Sequence, residues 1–324
     1  MNKHLITILS IILIQCNSGK STNIIQDSNN FSASIAIDYH DWTKQDSLLF
    51  QVEYISNFLT DLNLEVLSNN KSQNFTITPS ESLIIFEERF LFPIGESISF
   101  NIYDKRNVIY SQELFFEIPD FKILLVDENP LKVDDRIYKT LKKNLIFENL
   151  DKIFIDDLIK TPLSSYDLIL FSNISFLTAN EIEKLQQFLL NGKKVFFILN
   201  ERIIKNKDWE FHFSFPKISS VRGSSVNQFF IADIDTEFFS HALDVNSLKD
   251  LKVFRYFELT PNQSFSDLIN LKNQNPLLFS KNVLTGEVYY FNSSIESNWT
   301  NSISYEMILD ILVEIALQEK SLNE

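Results

Sequence analysis

Five polar residues follow three apolar runs of the sequence, and these residues are Asp127, Glu128, Ser172, Asn173 and Asn200. Each run is typical of a strand that is buried on both faces of a parallel sheet. Ligands of such sheets bind beyond the carboxyl ends of the strands, so the five residues form a candidate binding cleft. Their carboxylates and hydroxyl would suit a hydrolase or a carbohydrate-active protein.

A serine nucleophile needs a neighbouring base, and the second half of the chain offers His212 and His241. No G-x-S-x-G pattern surrounds Ser172 or Ser175, so neither serine carries the usual signature of a nucleophile. His212 lies within Phe211–Phe215, an aromatic run that predicts a strand and favours a structural role. We therefore expect no catalytic residue and keep a divergent hydrolase as the alternative.

The acidic residues show no metal-binding spacing. Asp134 and Asp135 are adjacent, as are Asp156 and Asp157, and adjacent side chains on a helix or strand do not face one site. The sequence contains no H-E-x-x-H, EF-hand, Walker or G-x-G-x-x-G pattern. The sequence therefore predicts neither a metal site nor a cofactor.

The runs Lys122–Asp127 and Tyr166–Ser172, with Glu128, resemble the first and third strands of response-regulator receivers. In that family the later strand ends in the aspartate that accepts the phosphoryl group. Ser172 stands at this position here, and a serine hydroxyl can neither form the acyl phosphate nor replace a carboxylate as a Mg²⁺ ligand. We therefore do not expect a working receiver.

The start of the chain resembles a bacterial lipoprotein signal. Residues 5–14 form an apolar run of about ten residues, which is too short to span a bilayer. Leu13 to Cys16 resembles the lipobox, and Cys16 is the single cysteine of the chain. We expect a signal peptide at 1–15, a lipid anchor on Cys16 and a flexible Ser/Asn-rich tether at 16–32. An ordinary signal peptide or an uncleaved anchor is the alternative.

Composition limits the partners of the chain. The 324 residues carry a formal net charge of −14, which repels nucleic acid. A hydrophobic content of 44% is sufficient for a buried core, and the length predicts about two domains. We expect a membrane contact through the lipid on Cys16, a protein partner in the envelope, and no nucleic acid.

Residues 33–118 contain about seven short strand-like runs, spaced by roughly 8–12 residues. Alternation of apolar and polar residues, as in Ser34–Tyr39 and Leu48–Tyr54, is typical of half-buried strands. Asp104–Asn107 predicts a hairpin turn. The pattern favours an immunoglobulin-like β-sandwich.

Residues 119–318 alternate between strands and helices, which predicts a doubly wound, flavodoxin-like parallel sheet. Thr178 and Glu181 form a capping box that opens a helix ending near Gly192. The middle insert, about 201–275, is rich in aromatic residues. There we predict strands at 211–215, 227–232 and 253–259, and a helix at 235–243.

The segments 122–130, 166–200 and 276–318 resemble the class I glutamine-amidotransferase-like domain of aerotolerance-type BatA proteins and related bacterial envelope proteins. This resemblance implies a β-sandwich followed by an amidotransferase-like domain. A glutaminase of that fold uses a cysteine nucleophile, and residues 119–318 contain no cysteine. The expected function is therefore that of a non-catalytic, lipid-anchored scaffold or binding module of the cell envelope, exported to the periplasmic side of the inner or outer membrane.

Overall fold

The computed structural model describes residues 31–38, 47–56, 61–68, 71–77, 84–91, 97–115, 120–128, 136–143, 147, 149–172, 174, 176–201, 212–213, 215–225, 228–234, 250–260 and 265–323. The chain divides into two units, Met1–Ile118 with Leu317–Glu324, and Pro119–Ala316. Within these described ranges, no helix combines the length and the apolar character that crossing a membrane requires.

The amino-terminal predictions fall almost wholly outside the described residues. The predicted signal peptide, Cys16 and the tether up to residue 30 belong to the part that the structure does not describe. The first strand begins at Phe31, so the last two residues of the predicted tether belong to a strand.

The first unit contains two antiparallel sheets among its described residues. One sheet has the strand order β1-β2-β5 and the other has the order β4-β3-β6-β7. The predicted hairpin turn is confirmed, because Asp104 pairs with Asn107 at the end of β6 and β7. The strands are β1 Phe31–Asp38, β2 Ser47–Ser56, β3 Leu62–Ser68, β4 Lys71–Ile77, β5 Ile84–Leu91, β6 Ser97–Asp104 and β7 Asn107–Phe115.

Alternation along β3 and β6 gives the four-stranded sheet one apolar face. Val66 lies opposite Phe100 in the register, and both side chains are fully buried. On the other face the Tyr103 hydroxyl donates to Glu65 Oε2 over 2.7 Å, and this hydrogen bond raises the pKa of Tyr103. Side chains of a strand point alternately to opposite faces, so this sheet buries one face and keeps the other polar.

The second unit is built on an eight-stranded sheet with the order β13-β15-β16-β17-β11-β10-β8-β9. The five strands from β17 to β9 are parallel, and β16, β15 and β13 extend the sheet in antiparallel fashion. Strands β12 and β14 form a separate antiparallel pair. The strands are β8 Ile123–Asp127, β9 Asp151–Phe154, β10 Leu168–Ser172, β11 Lys194–Ile198, β12 Ile218–Gly223, β13 Ala232–Ile234, β14 Arg255–Leu259, β15 Ser266–Leu271, β16 Pro276–Val283 and β17 Gly286–Phe291.

The described helices of this unit are α1 Arg136–Leu141, α2 Ala179–Leu190 and α3 Ile303–Asn323, which continues past the end of the unit. The predicted capping box of α2 is confirmed, with the Thr178 hydroxyl accepting from the Glu181 amide and the Glu181 carboxylate accepting from the Thr178 amide. The apolar face of α2 joins one face of the parallel strands in a single core that contains Ile182, Leu185, Phe188, Leu189, Leu124, Val126, Ile169, Phe171, Val195 and Phe197. Each such side chain contributes about 1.5–3 kcal/mol to folding when fully buried.

The turn between β16 and β17 closes against the end of α2. The Thr285 hydroxyl donates to the carbonyl oxygens of Leu189 at 3.0 Å and Leu190 at 2.6 Å, which lack partners within the helix. Gly192 takes a φ of 73°, the left-handed conformation that glycine adopts freely after a helix. This contact fixes the antiparallel hairpin to the parallel part of the unit.

Two strand predictions in the insert are wrong. His212 lies in a helical turn and Phe215 is outside any strand. The backbone bends at Phe213, whose side chain is buried in the core. In the second predicted strand, Phe230 forms one isolated bridge to Val253, and a strand begins only at Ala232. Tertiary packing has overridden the local propensity of these aromatic residues. The helix predicted at 235–243 lies outside the described residues.

Candidate functional site

The structure places Asp127 and Ser172 side by side at the carboxyl edge of the sheet. They are the last residues of the neighbouring parallel strands β8 and β10, and they are partners in the register. Their side chains therefore leave the sheet on the same face. Both residues are almost completely buried, with 4% of Asp127 and 1% of Ser172 exposed to solvent.

Asp127 lies beside a lysine that is also shielded from solvent. Lys152, on the edge strand β9, has its ammonium nitrogen 4.0 Å from Asp127 Oδ2 and 5.9 Å from the centre of the Tyr138 ring. The attraction of opposite charges is stronger in such a poorly solvated position than in water. Glu128 follows Asp127 and is half-buried, whereas Asn173 lies outside the described residues.

Asn200 binds the loop that follows β10. Its Nδ2 donates to the carbonyl oxygen of Ile174 over 3.0 Å, and 6% of Asn200 is exposed. A buried backbone carbonyl without a partner would be costly, so this side chain stabilises the loop between β10 and α2. Its amide group is used inside the protein.

A fourth polar strand end lies at β17, and the sequence analysis missed it. Asn292, Ser293 and Ser294 follow β17 and are at most 1% exposed. Asn292 Nδ2 donates to the carbonyl oxygens of Phe257 at 2.8 Å and Pro276 at 2.7 Å. The sequence pattern that marked the other strand ends is also present here, because Asn-Ser-Ser directly follows an apolar strand, and it could have identified this end.

These four strand ends give the carboxyl edge a closed polar layer. Ser293 Oγ donates to the carbonyl oxygen of Arg255, and Thr300 Oγ1 donates to that of Ser294. Asn292 and Ser293 thus connect the end of β17 to β14 and β16, and Thr300 and Asn200 hold the segments that follow β17 and β10. An arrangement of this kind holds loops in place and leaves few polar atoms for a ligand.

The chain segment that carries His212 lies against the face opposite to Ser172. Phe171 points away from its neighbour Ser172 and stacks on Phe197 at 4.9 Å, and Phe197 contacts Phe213 at 5.6 Å. His212 precedes Phe213, so its backbone belongs to the Phe171 side of the sheet. The other histidine considered as a base, at position 241, lies outside the described residues.

No group of three or more His, Cys, Asp or Glu side chains suitable for a metal ion occurs in the described part of the chain. The adjacent pair Asp156 and Asp157 lies in a short 3-10 helix and is exposed. The pair Asp134 and Asp135 falls among the residues that the structure does not describe.

A cavity of about 530 Å³ opens at the amino edge of the sheet, opposite the predicted cleft. Its walls come from the first residue of β9 and from the segments that precede β8, β9 and β10, including Lys122, Asp151 and Tyr166. The Tyr166 hydroxyl donates to Asp151 Oδ2 over 2.7 Å. Burial and this hydrogen bond raise the pKa of Tyr166 to about 12, so the phenol keeps its proton at neutral pH.

No family model and no curated protein matches the chain. Among solved structures, a putative ThuA-like protein from Bacteroides uniformis is 15% identical, with a TM-score of 0.42 over 63% of this chain and 94% of that chain. The exo-β-1,4-mannosidase Op5Man5 from Opitutaceae bacterium strain TAV5 is 11% identical, with a TM-score of 0.39 over 61% of this chain and 35% of that one. The β-galactosidase from Bacillus circulans sp. alkalophilus is 12% identical, with a TM-score of 0.41 over 63% and 31%. The chain spans about a third of the length of these two glycosidases.

Proposed function

We propose that this chain is a lipid-anchored, non-catalytic protein of the bacterial cell envelope that acts as a scaffold or binding module. The observation that carries the non-catalytic part is the burial of Ser172, which is 1% exposed at the end of β10. A nucleophile must reach its substrate within about 3–3.5 Å, and a hydroxyl enclosed by protein cannot do so without a rearrangement. Of the other polar side chains of that edge, Asn200 holds the loop after β10 and Asn292 holds the backbone of β14 and β16.

The proposed first domain is an immunoglobulin-like sandwich. Its seven strands fall into the orders 1-2-5 and 4-3-6-7. In a constant-type immunoglobulin domain the sheets contain strands A-B-E-D and C-F-G. Here the fourth strand, which corresponds to D, joins the second sheet instead. The apolar face formed by β3 and β6 supplies the surface on which the other sheet would pack. Such a module would serve as a spacer or as a binding surface.

The proposed second domain is flavodoxin-like, with an amidotransferase-like arrangement. Counted along the chain, its five parallel strands lie in the order 2-1-3-4-5. This is the order of flavodoxin-like sheets. Because residues 119–318 contain no cysteine, the thiolate of a glutaminase of this kind has no counterpart in the domain.

The anchor and the partner can be tested together in a bacterial host that expresses the full-length chain. We expect the wild type to fractionate with membranes and to crosslink to a defined envelope protein. Cys16→Ala should release the chain from the membrane and weaken the crosslink, because the thiol carries the proposed lipid. Ser18→Ala, a change in the same segment, is the matched control. Membrane association that is unchanged in Cys16→Ala would refute the lipid anchor.

The alternative function, a divergent envelope hydrolase or carbohydrate-active protein acting through the strand ends, needs a separate assay. The purified chain would be tested on ester, amide and glycosidic substrates. We expect no turnover above that of a sample carrying Ser172→Ala. Ser164, which is exposed before β10, provides a matched Ser→Ala control. Turnover that Ser172→Ala abolishes and Ser164→Ala preserves would overturn the non-catalytic proposal.

A further inference from the structure

The cavity at the amino edge of the sheet has walls that are held by internal hydrogen bonds. The Lys122 amide donates to Asp167 Oδ2 over 2.9 Å, and Lys193 Nζ lies 2.6 Å from Asp167 Oδ1. On the other side, Tyr166 holds the Asp151 carboxylate through its hydroxyl. The backbone of Lys122 and the carboxylate of Asp151 are thus held before any ligand arrives, which lowers the entropic cost of binding.

The charges of the cavity balance each other. Asp120 and Asp151 supply two carboxylates, and Lys122 and Lys142 supply two ammonium groups. An anion would meet two opposite and two like charges, and so would a cation, so the cavity offers neither of them a net attraction. A neutral ligand with hydroxyl groups can bind to both kinds of charged group at once.

The remaining polar groups of the wall also favour a neutral ligand rich in hydroxyl groups. Asn149 and Ser165 can each both donate and accept hydrogen bonds. One hydroxyl group of a ligand can accept from an ammonium group and donate to a carboxylate at the same time. Most ligand pockets are lined mainly by apolar side chains. Leu150 is the aliphatic residue among those that line this cavity, so its wall is more polar than usual and suits a polar ligand.

We propose that this cavity binds a neutral saccharide unit, with Lys122 and Asn149 donating to its hydroxyl groups and Asp151 accepting from them. A volume of about 530 Å³ lies within the range of roughly 300–1,000 Å³ that ligand pockets occupy. The proposal extends the binding-module function to a class of ligand. Saccharide binding uses none of the residues of the carboxyl edge and does not involve Cys16. The saccharide proposal can therefore fail while the envelope function stands, and the envelope function can fail while saccharide binding stands.

The test uses the full-length chain in a detergent without sugar groups. The probes are chitotriose, cellotriose and maltotriose, with inorganic phosphate as the charged comparison. We expect saturation-transfer NMR to detect at least one trisaccharide, and calorimetry to show that Lys122→Ala weakens its affinity about tenfold or more, the usual effect of losing a hydrogen bond from a charged group. Lys160→Ala, a change at an exposed lysine outside the cavity, should leave the affinity unchanged.

Tyr166→Phe provides a second variant that keeps the ring in the core. It removes the hydroxyl that positions Asp151, so we expect a several-fold weaker affinity with the fold intact by circular dichroism. The proposal is overturned if none of the three trisaccharides shows saturation transfer at about 10 mM, well above the millimolar dissociation constants of weak ligands. It is also overturned if only phosphate binds, or if binding persists unchanged in Lys122→Ala.

Discussion

Gly286 occupies a position of the second unit where any side chain would meet the backbone. A Cβ atom added at Gly286 would lie 2.3 Å from the carbonyl oxygen of Lys193 and 2.8 Å from that of Leu189. Carbon atoms pack at roughly 3.5–4.0 Å, so relief requires a movement of about 1 Å in two carbonyl groups. Those oxygens accept hydrogen bonds from Glu287 and from the Thr285 hydroxyl, which join β17 and its turn to β11 and α2.

The expected cost of Gly286→Ala follows from these contacts. Overpacking alone costs about 1–3 kcal/mol, and each weakened hydrogen bond adds about 1 kcal/mol. We therefore expect the free energy of unfolding to fall by about 3–5 kcal/mol. A domain has only about 5–15 kcal/mol of net stability, so the variant should unfold at much lower urea concentration.

Urea denaturation followed by tryptophan fluorescence measures this loss. A Trp42→Phe background removes the tryptophan of the first unit, so the signal reports the second unit, in which Trp299 is buried against Phe257. Gly223→Ala is the matched control, because a Cβ there meets nothing within 4 Å, and we expect a change within about 0.5 kcal/mol. If Gly286→Ala is as stable as the control, the close packing described above is refuted.

Four further changes test other parts of the second unit. Asn292→Asp should lower the free energy of unfolding by about 3 kcal/mol in urea at neutral pH, since a carboxylate cannot donate to the carbonyl oxygens of Phe257 and Pro276. Acid should reduce this loss, and a loss of the same size at both pH values would contradict the role of the Asn292 amide. Thr178→Ala should cost about 1 kcal/mol through loss of the α2 cap, while Thr178→Ser should not. Thr285→Val should cost about 1 kcal/mol, and Thr285→Ser should retain the hydrogen bonds to α2. Tyr166 has a pKa of about 12 in the folded state, against 10.0 for an unperturbed tyrosine. Its contribution to the free energy of unfolding is therefore complete below pH 10 and is lost as the pH rises through 12. Tyr166→Phe should therefore lose less stability over this interval, and an identical pH dependence would refute the raised pKa of Tyr166.

The parallel strands and their order of appearance could be predicted from the sequence because local patterns specify them. Ile123–Asp127 and Leu168–Ser172 are nearly continuous apolar runs, and the structure buries every residue of both. The capping box of α2 is also a local signal, since Thr178 and Glu181 lie within one turn of each other. Patterns of this kind depend on residues close together in the sequence, so they can be recognised without knowing the tertiary structure.

Long-range packing decided the features that the sequence did not reveal. The turn at His212 lies where Phe213 packs on Phe197 and its carbonyl oxygen accepts a hydrogen bond from the Tyr290 hydroxyl. The antiparallel extension depends on pairing between β15 and β16, with irregular register at Ile269. In both cases the contacting residues lie far apart in the sequence or in different strands, so a local window of sequence does not reveal the contact.

The burial of the strand ends was a further fact that residue types could not supply. Asp, Ser and Asn at the carboxyl ends of parallel strands suit a ligand site and an internal hydrogen-bond network equally well, and the choice depends on what covers them. In this chain Asn200 binds the loop after β10, and Asn292 binds the backbone of β14 and β16. A polar residue at a strand end is therefore evidence for a site only when its polar atoms remain open to solvent.

The two edges of the parallel sheet differ in how their polar groups are used, and this difference directs the search for a ligand. At the carboxyl edge, Ser172 and Asn292 are at most 1% exposed, so a ligand would have to displace the protein that encloses them. At the amino edge, Asn149, Asp151 and Ser165 are exposed around a cavity whose walls are already fixed. Binding there costs no unfolding of structure, whereas binding at the carboxyl edge would break buried hydrogen bonds worth about 1 kcal/mol or more each. The amino edge is therefore the part of the described sheet where a small polar ligand can bind to the folded chain as it stands.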